Sequence, residues 1–147
     1  MTETAANELQ EQVSRPFPEP VLERFAPHFE ALARGELLVR RCEDCGRVQW
    51  PPRVCCRACN SERLGWIEAA REGVIYTFTV CYRAFHPWFA QRTPFGLVVA
   101  DVQPGARVLG SCFSPAVESL ACGQRVRADF SLSDGGNIVL AWEPIEA

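Results

Sequence analysis

The residues with the clearest chemistry are two cysteine pairs, Arg41-Cys42-Glu43-Asp44-Cys45-Gly46 and Cys55-Cys56-Arg57-Ala58-Cys59-Asn60, separated by a stretch that holds Pro51-Pro52-Arg53. A Cys-x-x-Cys pair turns both sulfurs toward one point, and Gly46 or Asn60 just after it can take the left-handed conformation that closes the turn. Two such turns make a tetrahedral cage. Four thiolates suit zinc, an ion with no geometric demands of its own. With every position filled by sulfur no site stays open for water, so the expected ion is structural, one per chain. A pair of disulfides fits less well, because no secretory signal is evident. A redox Cys-x-x-Cys normally stands alone at a helix start after a strand. The second knuckle offers Cys55, Cys56 and Cys59. Cys56 and Cys59 repeat the spacing of the first pair, so the expected ligands are Cys42, Cys45, Cys56 and Cys59.

Other reactive constellations are sparse. The two histidines are His28 and His86, and no nucleophile elbow, Gly-rich phosphate loop or metal-binding His pair occurs. His86 with Asp101 or Glu118 is an imaginable acid–base pair, but nothing in the sequence joins them. All 15 basic residues are arginine, which excludes any Schiff-base chemistry on a lysine. No residue is nominated as catalytic.

The elements that must hold the cage follow from pattern. Residues 1–19, with Pro16 and Pro18 and then Pro20, read as an extended tail. From Val21 a helical stripe of Leu22, Phe25, Phe29 and Leu32 begins, divided by Pro27 and stopped by Gly35. Such a stripe either covers the chain's own core or docks on another protein. Leu37 to Arg41 and Val48 to Trp50 form a hairpin around the first knuckle. Beyond it the chain pulses as an all-β domain, with candidate strands Gly65–Ala69, Val74–Arg83, Phe95–Val102, Arg107–Phe113, Gln124–Ser131 and Ile138–Glu143. Five or six short strands in this length suit a small OB-like barrel better than a sandwich. Alternation places Tyr76, Phe78, Val80 and Tyr82 on one face of the second strand, with Phe78 and Val80 in the core. The expected fold class is mainly β: N-terminal helices (1–36), a rubredoxin-like zinc ribbon (37–65) and an OB-fold barrel (66–147).

Net charge is −3. Residues 1–36 carry three arginines against seven glutamates, residues 37–65 six against three acids, and residues 66–147 six against eight. A zinc–tetrathiolate centre is formally −2, so the ribbon's arginines are expected to compensate its sulfurs. The acidic barrel lacks the basic groove of a single-strand nucleic-acid binder, which leaves that class a minor alternative. No apolar run reaches the length of a spanning helix, and Met1 to Ser14 is acidic and polar; the expected location is the cytoplasm.

One long connection, Ala84 to Pro94, concentrates aromatic side chains. Phe85, His86, Trp88, Phe89 and Arg92 there are candidates for contact with a ligand, the aromatic faces stacking on an adenine and Arg92 with Arg83 pairing with phosphates, or for contact with a partner protein; the same inventory also suits a simple cap on the barrel's end.

Leu37, Arg41-Cys42-x-x-Cys45-Gly46, Pro51-Pro52-Arg53 and Cys56-x-x-Cys59, followed by Trp66, Gly73-Val74-Ile75-Tyr76-Thr77, His86-Pro87, Pro94-Phe95, Gly105 and Gly123, make the sequence resemble the stand-alone zinc-ribbon plus OB-fold proteins associated with acyl-CoA enzymes. The match spans about Val21 to Pro144. Arg57 stands where that family usually has a proline, and Cys55 is extra; neither removes a ligand. The resemblance implies a thiolase-fold partner, a thiolase or an aldolase such as those acting on steroid side chains, with this chain as a non-catalytic subunit that helps to seat an acyl-CoA. A stand-alone acyl-CoA-binding module is the alternative. Family members also occur fused to hydratase-like domains, for which this chain is too short.

Overall fold

A 3-10 turn at Glu23–Phe25 runs into helix α1, Ala26–Ala33, with Pro27 in the first turn where its missing N–H costs nothing. Gly35, at φ +72, ends it, and the N–H groups of Gly35 and Glu36 return to the carbonyls of Leu32 and Ala31. The computed structural model describes residues 23–131, 133–134 and 137–145. The expected tail over residues 1–19, the first stripe positions Val21 and Leu22, and Gly135 and Gly136 of the last turn lie outside the described residues. Two positions of the stripe are used internally: Leu32 is buried and Phe29 packs against the same core.

Strand β1, Leu38–Cys42, lies between β2, Val48–Gln49, and β3, Leu64–Glu68, in an antiparallel sheet of order β2-β1-β3. The sequence pattern counted this last segment among the barrel strands. Instead it pairs along β1 from Leu38↔Glu68 to Cys42↔Leu64. The reason is geometric: the chain leaving the second knuckle starts beside the chain entering the first, because one cage ties both. Trp66 then stacks under the Arg40 guanidinium, 4.7 Å from its ring centre, and Ile67 packs on the core.

The barrel consists of β4, Glu72–Cys81, β5, Phe95–Gln103, β6, Ala106–Cys112, β7, Arg125–Asp129, and, after the small hairpin β8, Ser133–Asp134, and β9, Asn137–Ile138, the last strand β10, Ala141–Pro144. Its closed order is β10-β6-β5-β4-β7. Strand β10 runs antiparallel to β7 and parallel to β6. That is the OB arrangement, and closing the sheet removes the exposed edges an open one would keep. Glu72 on β4 takes both Arg127 and Arg125 of β7 across the closing seam. Those two guanidiniums, Arg127 first, hold its carboxyl below the ordinary range.

Alternation fills the interior with Val98 and Ala100 of β5, Val108 of β6, Val126 of β7 and Trp142 of β10. Leu32, Leu37 and Val39 belong to the same cluster, so helix, ribbon and barrel share one core. The expected face of Tyr76, Phe78, Val80 and Tyr82 is broken. A bulge between Ile75 and Thr77 adds one residue to β4, so Ile75 points inward together with Phe78 and Val80 while Tyr76 is half exposed. Tyr76 is covered from outside by the Arg107 guanidinium, 3.5 Å from its ring centre.

His28 on α1 locks the helix to the ribbon. Its Nδ1 lies 3.1 Å from the Leu38 carbonyl, and its ring packs 4.5 Å from Trp50, centre to centre. Burial lowers its pKa below the ordinary 6.5, with the Leu38 hydrogen bond opposing. The folded chain therefore binds fewer protons than the unfolded one below that value, and the linked stability is complete above about pH 6.5 and is lost as pH falls toward the lowered folded pKa. Thermal melting from pH 7.5 to 5.5, with bound zinc measured in parallel, is expected to show this loss, and His28→Gln to be less stable at pH 7.5 but flatter. Equal slopes for both chains would remove His28 as the cause.

Candidate metal centre and its surroundings

The two knuckles are built alike. In the first, Gly46 N–H donates to the Cys42 carbonyl and Cys42 N–H to Arg47; in the second, Asn60 N–H donates to Cys56 and Cys56 N–H to Ser61, all within 2.8–3.0 Å. Gly46, at φ +73, and Asn60, at φ +58, take the left-handed conformation that each turn requires. The sulfurs converge: Cys42 to Cys59 and Cys45 to Cys56 are each 3.6 Å apart, and all four Sγ atoms lie within 4.8 Å of one another. A ZnS4 tetrahedron with bonds of about 2.3 Å has edges of about 3.8 Å. The cage fits a tetrahedral ion with small adjustment.

The donors suit a cation chemically as well as geometrically. Backbone N–H groups of Ala58 and Cys59 favour the Cys56 thiolate and bring its pKa down to about 6. Cys59 is driven the other way, to about 12: the Ser61 N–H favours its thiolate, but burial and the sulfurs of Cys42, Cys45 and Cys56 outweigh it. Four adjacent sulfurs cannot all ionise against one another, and a divalent ion resolves that conflict.

Two features around the cage escaped the sequence. Gln49, 1% exposed, reaches from β2 into the second knuckle, where its amide donates to the Cys55 carbonyl and accepts from Arg57 N–H. A polar residue in a two-residue strand carries no signal for this, since its partners lie across the fold. Asp44 of the first knuckle is bound by Ser61 and Arg63 of the second, cross-linking the two turns. Cys55 stands outside the four-sulfur cluster and contributes its backbone carbonyl. Cys55→Ser is accordingly expected to retain one equivalent of zinc; loss of the metal on that change would overturn the ligand assignment.

The aromatic connection folds into a small aromatic cluster. His86 caps the short helix α2, Pro87–Ala90, its Nδ1 accepting from Trp88 N–H. Trp88 turns inward and meets Phe89 and Phe113 edge-on, and Phe89 and Phe113 each lie against Phe95. Arg92 lies 3.7 Å over the Trp88 ring and donates to its carbonyl. Phe85, by contrast, is 92% exposed. The carboxylates weighed as partners for His86 are engaged elsewhere: Asp101 binds Arg107 and Glu118 accepts from Tyr82. Among the described residues no helix is long and apolar enough to cross a membrane.

Comparison with known proteins agrees with this architecture. Residues 29–65 match the model of the ChsH2 rubredoxin-like zinc ribbon domain, and residues 66–131 that of the ChsH2 C-terminal OB-fold domain. The chain is 29% identical over 118 residues to a probable enoyl-CoA hydratase alpha subunit of Thermomonospora curvata, covering 80% of this chain but 36% of that one; it thus spans about a third of that relative's length. A DUF35 domain-containing scaffold protein of Methanocaldococcus jannaschii is 28% identical over 113 residues, 72% of this chain and 79% of that one. Among solved structures, a chain of the Ltp2-ChsH2(DUF35) aldolase superposes with a TM-score of 0.76 at 27% identity, over 86% of this chain and 98% of that one. A DUF35 protein of unknown function from Sulfolobus solfataricus shares the fold at 14% identity and a TM-score of 0.54, covering 87% and 91%. The chain belongs to the ChsH2-type DUF35 family of zinc-ribbon and OB-fold proteins.

Proposed function

We propose that this chain is a non-catalytic subunit of an acyl-CoA carbon–carbon bond enzyme, either an aldolase or a thiolase, and that it holds a thiolase-fold partner and helps to seat the acyl-CoA. The observation that carries the reading is the likeness to a chain of the Ltp2-ChsH2(DUF35) aldolase across 98% of that chain's length. A scaffold protein and an alpha subunit among the relatives point the same way. The metal cage supports it chemically, because four sulfurs saturate a tetrahedral ion and leave no position for substrate. Phe85 is the exposed aromatic of the connection from Ala84 to Pro94, a residue type that anchors interfaces when a partner buries it. The resemblance supplies the thiolase-fold partner and makes steroid side-chain thioesters one candidate substrate class.

Co-expression with a thiolase-fold protein from the same cell tests this. A stoichiometric complex is expected, with thiolytic or retro-aldol turnover of an acyl-CoA that rises when this chain is added. Independent migration of the two proteins with unchanged turnover would sink the proposal, as would turnover of a thioester by this chain unaided.

A further inference from the structure

The turn between β5 and β6 is pressed against the ribbon. A Cβ on Gly105 would stand 2.3 Å from the Val48 carbonyl oxygen, so only glycine allows the approach. Beside this contact an open groove of about 720 Å³ separates ribbon from barrel, lined by Arg41, Arg47 and Arg57 on one side and by Gln103 and Pro104 on the other. A second recess of about 570 Å³ shares Arg57 and the turn, and adds Trp50, Asp101 and Arg107.

The state of these arginines is informative. Arg34, Arg63, Arg107, Arg125 and Arg127 are ion-paired, and Arg40, Arg71, Arg83 and Arg92 lie over aromatic rings. Among the described residues, the side chains of Arg41, Arg47 and Arg57 have neither an ion pair nor a ring contact. Cys45 also lines the groove, so the thiolate centre draws on their charge. Arg41 also lines a neighbouring recess that holds Glu43, whereas the groove's own lining, with Arg47 and Arg57, holds no carboxylate. Asp101, the carboxylate at the far end, is already held by Arg107 at 2.8 Å. The groove therefore presents guanidinium forks that suit oxyanions, with no carboxylate facing them in its lining and with Val48, Ile67 and Trp50 as apolar walls.

We propose that this groove binds the phosphate groups of a small nucleotide-type ligand, with Arg41, Arg47 and Arg57 as the anion-binding residues. The head of an acyl-CoA is one source of that chemistry and a free nucleotide another. For the first source the proposal rests on the acyl-CoA part of the function proposed above, and it places the phosphate contacts at the ribbon–barrel junction rather than in the connection from Ala84 to Pro94.

Titration calorimetry on the full zinc-loaded chain decides it, with adenosine 3′,5′-bisphosphate, CoA, ATP and phosphate-free adenosine as probes. The bisphosphate is expected to bind, more weakly as salt is raised, and adenosine not to bind. The double variant Arg47→Gln/Arg57→Gln, with one zinc retained, is expected to lose at least about tenfold in affinity for the bisphosphate. Arg47→Lys/Arg57→Lys should recover part of it, and Arg53→Gln, a ribbon arginine outside the groove, should bind as the unaltered chain does. CoA bound more tightly than ATP identifies the acyl-CoA head; equal binding identifies a general nucleotide site. Bisphosphate binding undiminished in the zinc-loaded double variant, or no binding of any phosphorylated probe, overturns the groove. CoA bound equally by the unaltered chain and the double variant overturns it too, while leaving acyl-CoA binding intact elsewhere. Complex formation with the thiolase-fold protein is read separately and does not depend on these outcomes.

Discussion

Removing the metal from this chain, by a strong chelator or by Cys56→Ser, is expected to unfold the ribbon. The segment that makes the cage has a three-stranded sheet in which β2 is two residues long, far too little for an independent core. The cage supplies what that sheet lacks. Structural zinc in comparable small motifs is worth apparent free energies of about 10–16 kcal/mol at neutral pH, and that binding energy is folding energy. Cys56 is the telling position because it is fully buried and receives the Ala58 N–H on its sulfur. Leu37 and Val39 belong to the same cluster as Val98 and Trp142, so the damage should spread to the barrel. Metal analysis is expected to fall from one zinc per chain to none, with loss of dispersed amide resonances from β1 to β3 and a lower melting temperature for the barrel signals. A metal-free chain with an unchanged amide spectrum would contradict this account of the ribbon.

Trp142→Ala is expected to cost about 3–5 kcal/mol, the range for deleting a fully buried large aromatic. Trp142 is 0% exposed, and its indole N–H donates to the Val108 carbonyl at 3.2 Å, tying β10 to β6 across the parallel seam. The space it occupies exists because β6 carries glycine at position 110: a Cβ there would stand 2.6 Å from Trp142 Cδ1 and 2.8 Å from its Nε1. Gly110→Ala should therefore destabilise by overpacking, by about 1–3 kcal/mol. The two changes are not independent. In a Trp142→Ala background most of the Gly110→Ala penalty should vanish, leaving the contact with the Leu140 carbonyl. Chemical denaturation of the four chains of this cycle measures the coupling. Additive penalties would mean that Trp142 does not fill the space above Gly110.

What was legible in the sequence was local. Cys42 with Cys45, and Cys56 with Cys59, sit within single turns, and the left-handed residues Gly46 and Asn60 follow them directly, so spacing alone places each sulfur pair. Alternation likewise placed Phe78 and Val80 of β4 toward the core, because a strand's side chains alternate whatever its neighbours are. The same rule failed at Tyr76, where one extra residue opposite β5 exchanged the faces, and a bulge depends on the partner strand's register as much as on its own residues.

Tertiary structure alone decided the rest. The strand from Leu64 to Glu68 joined the ribbon because the cage had already fixed where it begins. Trp88 and Phe89 packed with Phe95 and Phe113 while Phe85 faced solvent, although Phe85, Trp88 and Phe89 are aromatics of one loop. Gln49 became a strut for the second knuckle, and three arginines of the ribbon came to face the β5–β6 turn across a groove. Spacing along the chain determines a contact only when both partners lie within one turn or one strand; these contacts join residues far apart in sequence, and they exist because the barrel closed and the ribbon docked upon it.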